Sequence, residues 1–316
     1  MKNTIKVGVS SCLLGEETRY DGTHKRDHFI ADVLGKWVTF VPLCPEVECG
    51  FGIPREPLRL VGGLEATTLM TSITKGDYTQ SMLRWARKRA LALKKKGLGG
   101  FIFKSKSPSC GVRKVKIYRE NGLAIPKGEG IFVKIFREHF PFMPIEDEEG
   151  IHDPKAFKNF IDKVFIFTRW RESLEQGLNR EKLIKFHSQH KFLFLSHSPK
   201  QVRMMEDLIG KPQRFHHKEL VDHYQAILMC LLQQEATAEK HANIMMVIAE
   251  KLASYLSSKD NEKLHDLIDF FVRGLVFHRV PLTLLNHYAR KYKLSFLKNQ
   301  AYLDPTLMKL KGLKED

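Results

Sequence analysis

Cysteine is scarce in this chain: five residues in 316, an odd count at wide spacings. That excludes the dense disulfide framework of a small secreted domain. Met1-Lys2-Asn3-Thr4-Ile5-Lys6 leads straight into a strand-like run, without the basic n-region and apolar h-region of a signal peptide. A reducing, cytoplasmic compartment is therefore expected, one in which free thiolates survive. No segment approaches the ~18 uninterrupted apolar residues of a membrane span. No basic amphipathic helix with exposed Trp or Phe is evident, so no membrane partner is expected. No GxGxxG follows a strand-like run and no GxxxxGK(S/T) occurs, which argues against a nucleotide cofactor. Internal repeats and low-complexity tracts are also missing, so solenoid and disordered classes are excluded. Negative charge is in deficit: 36 acidic residues face 52 basic ones, giving a net charge of +16 and a pI near 9.6. The excess is +9 over residues 1–148 and +7 over 149–316. A basic surface spread over the whole chain points to a polyanionic partner.

The hydrophobic fraction of 43% supplies two cores of ordinary size. Before residue 148, strand-like runs at Ile5 to Ser10, Trp37 to Pro42, Gly99 to Phe103 and Ile131 to Phe136 alternate with helical patterns at Asp27 to Leu34 and Tyr78 to Lys96. That alternation predicts a parallel sheet with crossover helices. Pro141 to Gly150, proline-punctuated and acidic, is expected to link two domains. Beyond it, apolar residues recur at helical spacing over 155–174, 179–195, 200–209, 218–230, 236–256, 261–273 and 281–291. The expected fold is α/β: a Rossmann-like parallel-sheet domain over 1–148, followed by an all-α domain over 149–316.

Three of the cysteines stand in short, turn-rich segments far apart in sequence: Ser11-Cys12-Leu13-Leu14-Gly15, Leu43-Cys44-Pro45-Glu46 and Ser107-Pro108-Ser109-Cys110-Gly111. Each follows a predicted strand. Loops at the carboxyl ends of parallel strands converge on one crevice, so the three thiols are expected to meet in one metal site. Three thiolates leave one corner of a four-iron cluster, or one position on a zinc ion, without a protein ligand, and an open corner is where a metal does chemistry. Cys49 and Cys230 are read as non-ligands.

Six ordered blocks across residues 5–137 resemble the thiouracil desulfurase (TudS-like) family, iron-sulfur proteins that remove sulfur from thiolated pyrimidines. They are Ser11 to Gly15, Arg19-Tyr20-Asp21-Gly22, Cys44-Pro45-Glu46, Ile53-Pro54-Arg55, Lys75 to Thr79 and Lys104 to Gly111. The resemblance implies a 4Fe-4S cluster held by Cys12, Cys44 and Cys110, with the fourth iron free for the substrate's sulfur. The segment Val47 to Gly52, which contains Cys49, departs from the plainer glycine-rich turn of that family. Water attack on a thiocarbonyl carbon needs a proton acceptor, and departure of sulfur benefits from a donor. Glu46 is the carboxylate expected in the first role, with turn or helix capping as its structural alternative. Ser107 or Ser109 supplies the hydroxyl, the resemblance favouring Ser107. Asp21, Arg55 and Asp77 are assigned to substrate binding, against turn formation for the two aspartates and loop pinning for the arginine.

The helical half resembles the YbgA-like domains, of uncertain biochemical role, over residues 183–305. The resemblance rests on Lys185 to Lys191, Leu195 to Pro199, Arg203 and Val280 to Tyr288. His187, His190 and His197 lack a nearby carboxylate or cysteine to complete a metal set, so they are expected to bond phosphate, backbone or one another. Lys191, His197, Lys200 and Arg203 around the Ser198-Pro199 helix start are expected to form a phosphate-binding edge. Arg87, Lys88 and Lys94 on one helix, with Arg113 and Lys114 beyond the third cysteine, extend it; a solvated helix face is the alternative for the first group. The function expected from both halves is removal of sulfur from 4-thiouridine in tRNA, without redox chemistry. The alternatives are desulfuration of free thiouracil or a thionucleoside, and a non-catalytic, zinc-stabilised nucleic-acid-binding protein.

Overall fold

The computed structural model describes residues 5–63, 66–119, 121–211 and 215–313. The chain divides into two compact units, residues 1–168 and 169–316, the division falling inside one helix.

The first unit is built on a four-stranded parallel sheet in the order β2-β1-β5-β8, with β1 at Ile5–Ser10, β2 at Val38–Leu43, β5 at Gly100–Phe103 and β8 at Ile145–Asp147. The two middle strands, Ile-Lys-Val-Gly-Val-Ser and Gly-Phe-Ile-Phe, are buried almost throughout, as strands covered on both faces must be. A second, mixed four-stranded sheet runs β4-β3-β6-β7, from β3 at Leu58–Gly62, β4 at Thr67–Thr71, β6 at Val115–Tyr118 and β7 at Ala124–Gly128. The helices of this unit are α1 at Pro45–Glu48, α2 at Thr79–Lys94, α3 at Ile131–His139, α4 at Glu148–His152 and the start of α5, Pro154–Glu175. Helix α2 buries Met82, Ala86, Ala90 and Leu93, a single stripe at helical spacing, and turns Arg87, Lys88 and Lys94 to solvent. Phe101, Phe103, Phe132 and Phe136 interlock in the core beneath the strand ends, the first two stacked 4.0 Å apart.

Three expectations are corrected. Ile131 to Phe136 is not a strand but helix α3; Ile131, Phe132, Val133, Ile135 and Phe136 are all buried. A helix buried nearly all round loses the polar face that marks its period, so an apolar run of this length reads equally well as a buried strand. Asp27 to Leu34 forms only a π-turn at Phe29–Val33, continued by a 3-10 turn at Leu34–Lys36. The presumed linker contains β8, paired in parallel with β5 at Phe101/Ile145 and Phe103/Asp147, and then α4. Its acidic side chains neutralise Arg113, Lys104 and Lys106, a tertiary role that composition does not distinguish from linker polarity.

In the second unit the described residues form helices and no strands: α6 Arg180–His197, α7 Pro199–Gly210, α8 His217–Leu232, α9 Ala238–Leu252, α10 Ser258–Val272, α11 Arg279–Lys291, α12 Ser295–Lys298 and α13 Pro305–Gly312. Asn179, Thr237, Ser257 and Asp304 cap α6, α9, α10 and α13 through side-chain oxygens that accept backbone N–H bonds. Trp170 and Tyr224 stack 5.3 Å apart in the core, and the Trp170 indole N–H donates to Gln225. The fold class is thus a parallel-sheet α/β unit followed by a helical one. Among the described residues no helix is long and apolar enough to cross a membrane.

Candidate functional site

The carboxyl ends of β1, β2 and β5 open into one cleft of about 390 Å³. Cys12, Cys44 and Cys110 all line it, with Glu46, Arg55, Lys104 and Ser107 among its other walls. Each thiol is placed by a tight turn. Cys12 sits in a 3-10 turn, Ser11–Leu14, closed by Gly15 at φ +98°, a left-handed conformation that glycine adopts without steric cost. The Cys12 carbonyl accepts from the Gly15 and Lys25 N–H groups, which folds the following loop back over the cysteine. Cys44 is the residue before α1, and Pro45 occupies the first helical position, where its missing N–H is no loss. Cys110 ends a turn in which Ser107 Oγ accepts from the Ser109 and Cys110 N–H groups, at 3.2 and 3.1 Å.

The third turn is held from behind by α3. Gly130 N–H donates to Gly111 O, Ile131 N–H to Pro108 O and Phe132 N–H to Ser109 O, at 2.8 to 3.1 Å. These are the N–H groups a helix start leaves without intrahelical partners. Gly130 permits the approach: a Cβ there would lie 2.5 Å from the Ser109 carbonyl and 2.8 Å from Cys110 N.

Glu46 is held at both oxygens. Ser109 Oγ donates to Oε1 at 2.9 Å, while Arg55 donates to Oε2 through Nε at 2.9 Å and a terminal nitrogen at 2.6 Å. The pair is largely buried, the Arg55 and Glu46 side chains being 7% and 13% exposed. Arg55 also donates to the Gly52 and Thr18 carbonyls, tying two loops to the carboxylate. On the opposite flank Lys104 pairs with Glu148, which also accepts from the Ser105 N–H and hydroxyl. Lys106, at φ +59°, pairs with Glu149 at 2.5 Å.

The donor set fits a multinuclear cluster. Burial pushes all three thiols up, Cys12 to about 11 and Cys110 well above its usual value, and the neighbouring sulfurs push Cys12 and Cys110 further. A bound iron-sulfur cluster would be held by these three as thiolates, its positive charge offsetting the cost of burying them. Among the described residues no three His, Cys, Asp or Glu side chains are grouped to hold a metal ion. Cys49 is half-buried against the cluster of Leu60, Leu69, Met82, Val115, Ile117 and Ile131, and Cys230 is exposed.

Other expected site residues are rearranged by the structure. Ser107 lines the cleft, whereas Ser109 is fully buried beneath it and bonded to Glu46. Asp21 and Asp77 do not line the cleft. Asp21 accepts from Thr23 and Arg19, and Asp77 accepts from the Thr79 N–H at the start of α2, so both act as turn formers. The correction follows from their short carboxylates finding backbone N–H groups two residues on. His197 is wholly buried with Nδ1 on the Gln234 carbonyl, Lys191 pairs with Glu206 at 2.5 Å, and Arg113 pairs with Glu146 and Asp147. His197 is therefore withdrawn as a phosphate ligand; Lys191 and Arg113 are ion-paired at the surface, and Lys114, Lys200 and Arg203 are exposed. Tyr20 was missed: it lines the cleft, 39% exposed, with the Arg19 guanidinium 5.4 Å from its ring centre. Its signal was its place in the Arg19-Tyr20-Asp21-Gly22 block.

A family described as 2-thiouracil desulfurase matches residues 7–148, and a family described as a protein of unknown function, DUF1722, matches residues 191–306. Uncharacterized protein YbbK of Bacillus subtilis strain 168 is 35% identical over 108 residues, covering 33% of this chain and 71% of that protein. Uncharacterized protein YbgA of Escherichia coli K12 is 25% identical over 143 residues, covering 45% of this chain and 85% of that protein. Among solved structures, the 4Fe-4S-dependent thiouracil desulfidase TudS is 31% identical, with 46% of this chain and 93% of that one aligned at a TM-score of 0.39.

Proposed function

Because this chain belongs, through residues 7–148, to the 2-thiouracil desulfurase family, we propose that it is a 4Fe-4S-dependent desulfidase, replacing the sulfur of a thiolated pyrimidine by oxygen. The observation that carries this reading is the convergence of Cys12, Cys44 and Cys110 on one cleft beside the buried Glu46. When bound to three thiolates, a 4Fe-4S cluster supplies an iron without a protein ligand, a soft Lewis acid toward sulfur. Water supplies the oxygen, sulfur leaves as hydrosulfide, and no net electron transfer is needed. Glu46 accepts the proton of the attacking water. Three of the roughly four lone-pair directions of its carboxylate are occupied, one by Ser109 on Oε1 and two by Arg55 on Oε2, and the remaining one, on Oε1, is available to water. The Ser107 hydroxyl, which lines the cleft and accepts two backbone N–H bonds, keeps its own proton to donate toward the departing sulfur. Ser109 positions Glu46. Tyr20 offers a ring face to the pyrimidine.

The substrate we infer is 4-thiouridine within tRNA, in keeping with a net charge of +16 and a helical unit carrying a DUF1722 domain. Free thiouracil is the second reading, favoured by a cleft near the small end of ligand pockets and by the substrate named for TudS. The deciding experiment is anaerobic purification, a visible spectrum, and incubation with thiolated tRNA and with free thiouracil while sulfide and nucleosides are assayed. A brown protein that converts 4-thiouridine in tRNA establishes cluster and substrate together. Faster turnover of the free base transfers the assignment to thiouracil, and a colourless zinc protein inert on both sinks the desulfidase reading.

A further inference from the structure

The helical unit carries an aromatic and basic surface that the desulfuration chemistry does not use. Tyr255, in the 3-10 turn that follows α9, and Phe296 on α12 each leave 47% of their surface in solvent. Exposed rings of this size sacrifice hydrophobic free energy, which marks them when they are grouped rather than scattered. These two are grouped. Tyr255 meets Tyr292 with ring centres 5.8 Å apart, and one helical turn earlier Lys251 places its ammonium 5.9 Å from the Phe296 ring centre. The end of α9 and the segment after α11 are thus joined twice, at 255/292 and at 251/296, which puts both exposed rings on one surface. Lys291 lies 5.2 Å from the centre of Tyr292, and Tyr292 stacks on Tyr288 at 6.4 Å.

Basic side chains outnumber acidic ones on the segments that form this surface. Lys251, Lys291, Lys293 and Lys298 are exposed, as is Glu250 next to Lys251. Asp260, a carboxylate beside it, is bonded to Ser257 and to the Tyr288 hydroxyl and feels the charge of Lys291. Rings backed by ammonium groups are matched by a flat, electron-rich aromatic attached to an anionic backbone: bases stack on the rings while phosphates meet the lysines. A protein partner of acidic sequence would satisfy the lysines and leave the rings without a planar counterpart.

We propose that this surface is a stacking platform for unpaired nucleotides of RNA, with Tyr255 and Phe296 receiving bases and Lys251 and Lys291 neighbouring phosphates. The proposal rests on the RNA reading given above and adds to it the place and mode of contact. It also relocates binding in the helical unit away from His197, which is buried.

The test measures binding of a labelled single-stranded oligouridylate and of an unmodified tRNA transcript by the cluster-loaded full chain, with Tyr255→Ala, Phe296→Ala and Tyr255→Phe as variants. Each alanine variant is expected to weaken oligouridylate binding roughly tenfold, the loss of one stacked base. Tyr255→Phe, which keeps the ring, is expected to bind as the unsubstituted protein does. Visible absorbance and free-thiouracil turnover stay unchanged in all three. Unsubstituted protein that binds while the alanine variants bind equally well overturns the platform and leaves the RNA reading standing. Oligouridylate binding lost in the variants, in a protein that leaves thiolated tRNA unconverted, supports the platform and overturns the tRNA substrate. A dimer in sedimentation that both alanine substitutions dissociate, without any RNA affinity, assigns the surface instead to contact between copies and overturns the proposal.

Discussion

Both oxygens of Glu46 are engaged before any substrate arrives, and that makes its neighbours as informative as the carboxylate itself. Glu46→Gln keeps the size of the side chain and a carbonyl for Arg55, but removes the proton acceptor. Its kcat is expected to fall by about 10²–10⁴-fold with the visible spectrum retained, which single-turnover sulfide release measures. Arg55→Met tests the other side of the pair. A carboxylate left 13% exposed without its cation is destabilising by about 3–5 kcal/mol, so the variant is expected to lose stability as well as activity in denaturant titration. Glu46 and the three cysteines were legible in the sequence because each stands in a short motif beside a predicted strand end. The motif leaves Ser107 and Ser109 as alternatives, since two serines around one proline do not state which hydroxyl faces the cleft; Ser109 is buried beneath it.

At the level of elements, the Cys110 turn and helix α3 form one unit, because the N–H groups of the first helical turn donate to the carbonyls of the cysteine loop. Gly130→Ala is expected to displace that loop, its Cβ meeting the Ser109 carbonyl at 2.5 Å. Iron per purified chain should fall below that of the unsubstituted protein, whereas Gly210→Ala, which meets nothing within 4 Å, should load normally. Helix α6 makes a separate prediction. Burial lowers His187 and His190 from 6.5 to about 4. His190 Nδ1–H donates to the Phe186 carbonyl, and His187 bonds the Tyr224 hydroxyl. Glu206, 3.9 Å from His187, opposes the shift there, and the charges of Lys191 on His187 and Arg169 on His190 add to it. With folded values below the unfolded one, the unfolded chain binds the extra protons. The stability held by the neutral imidazoles is therefore complete above pH ~6.5 and lost as pH falls from there toward ~4. About 1–3 kcal/mol per histidine is expected, read as faster hydrogen exchange in α6 peptides, with a shallower decline in His190→Asn.

For the whole molecule, the charge of +16 is the property that separates the two substrate readings. If phosphates are the counterions, tRNA affinity should drop steeply, by about 10³-fold or more, between roughly 50 and 200 mM salt, while turnover of free thiouracil stays flat over the same range. A flat response for tRNA would mean that the basic surface serves solubility alone.

The sequence by itself determined the parallel-sheet unit and the helices that follow, because the periods of buried strands and amphipathic helices are local properties of the chain. It also determined which three thiols to watch, since each ends a strand whose neighbours in the sheet share one crevice. Only the tertiary structure decided the rest. It made Ile131 to Phe136 a helix by burying it on all sides, and it drew the acidic stretch after Pro144 into the sheet to balance Arg113, Lys104 and Lys106. It placed His197 in the core and left Tyr255 and Phe296 outside. Burial and pairing depend on partners distant in sequence, and no local pattern carries them.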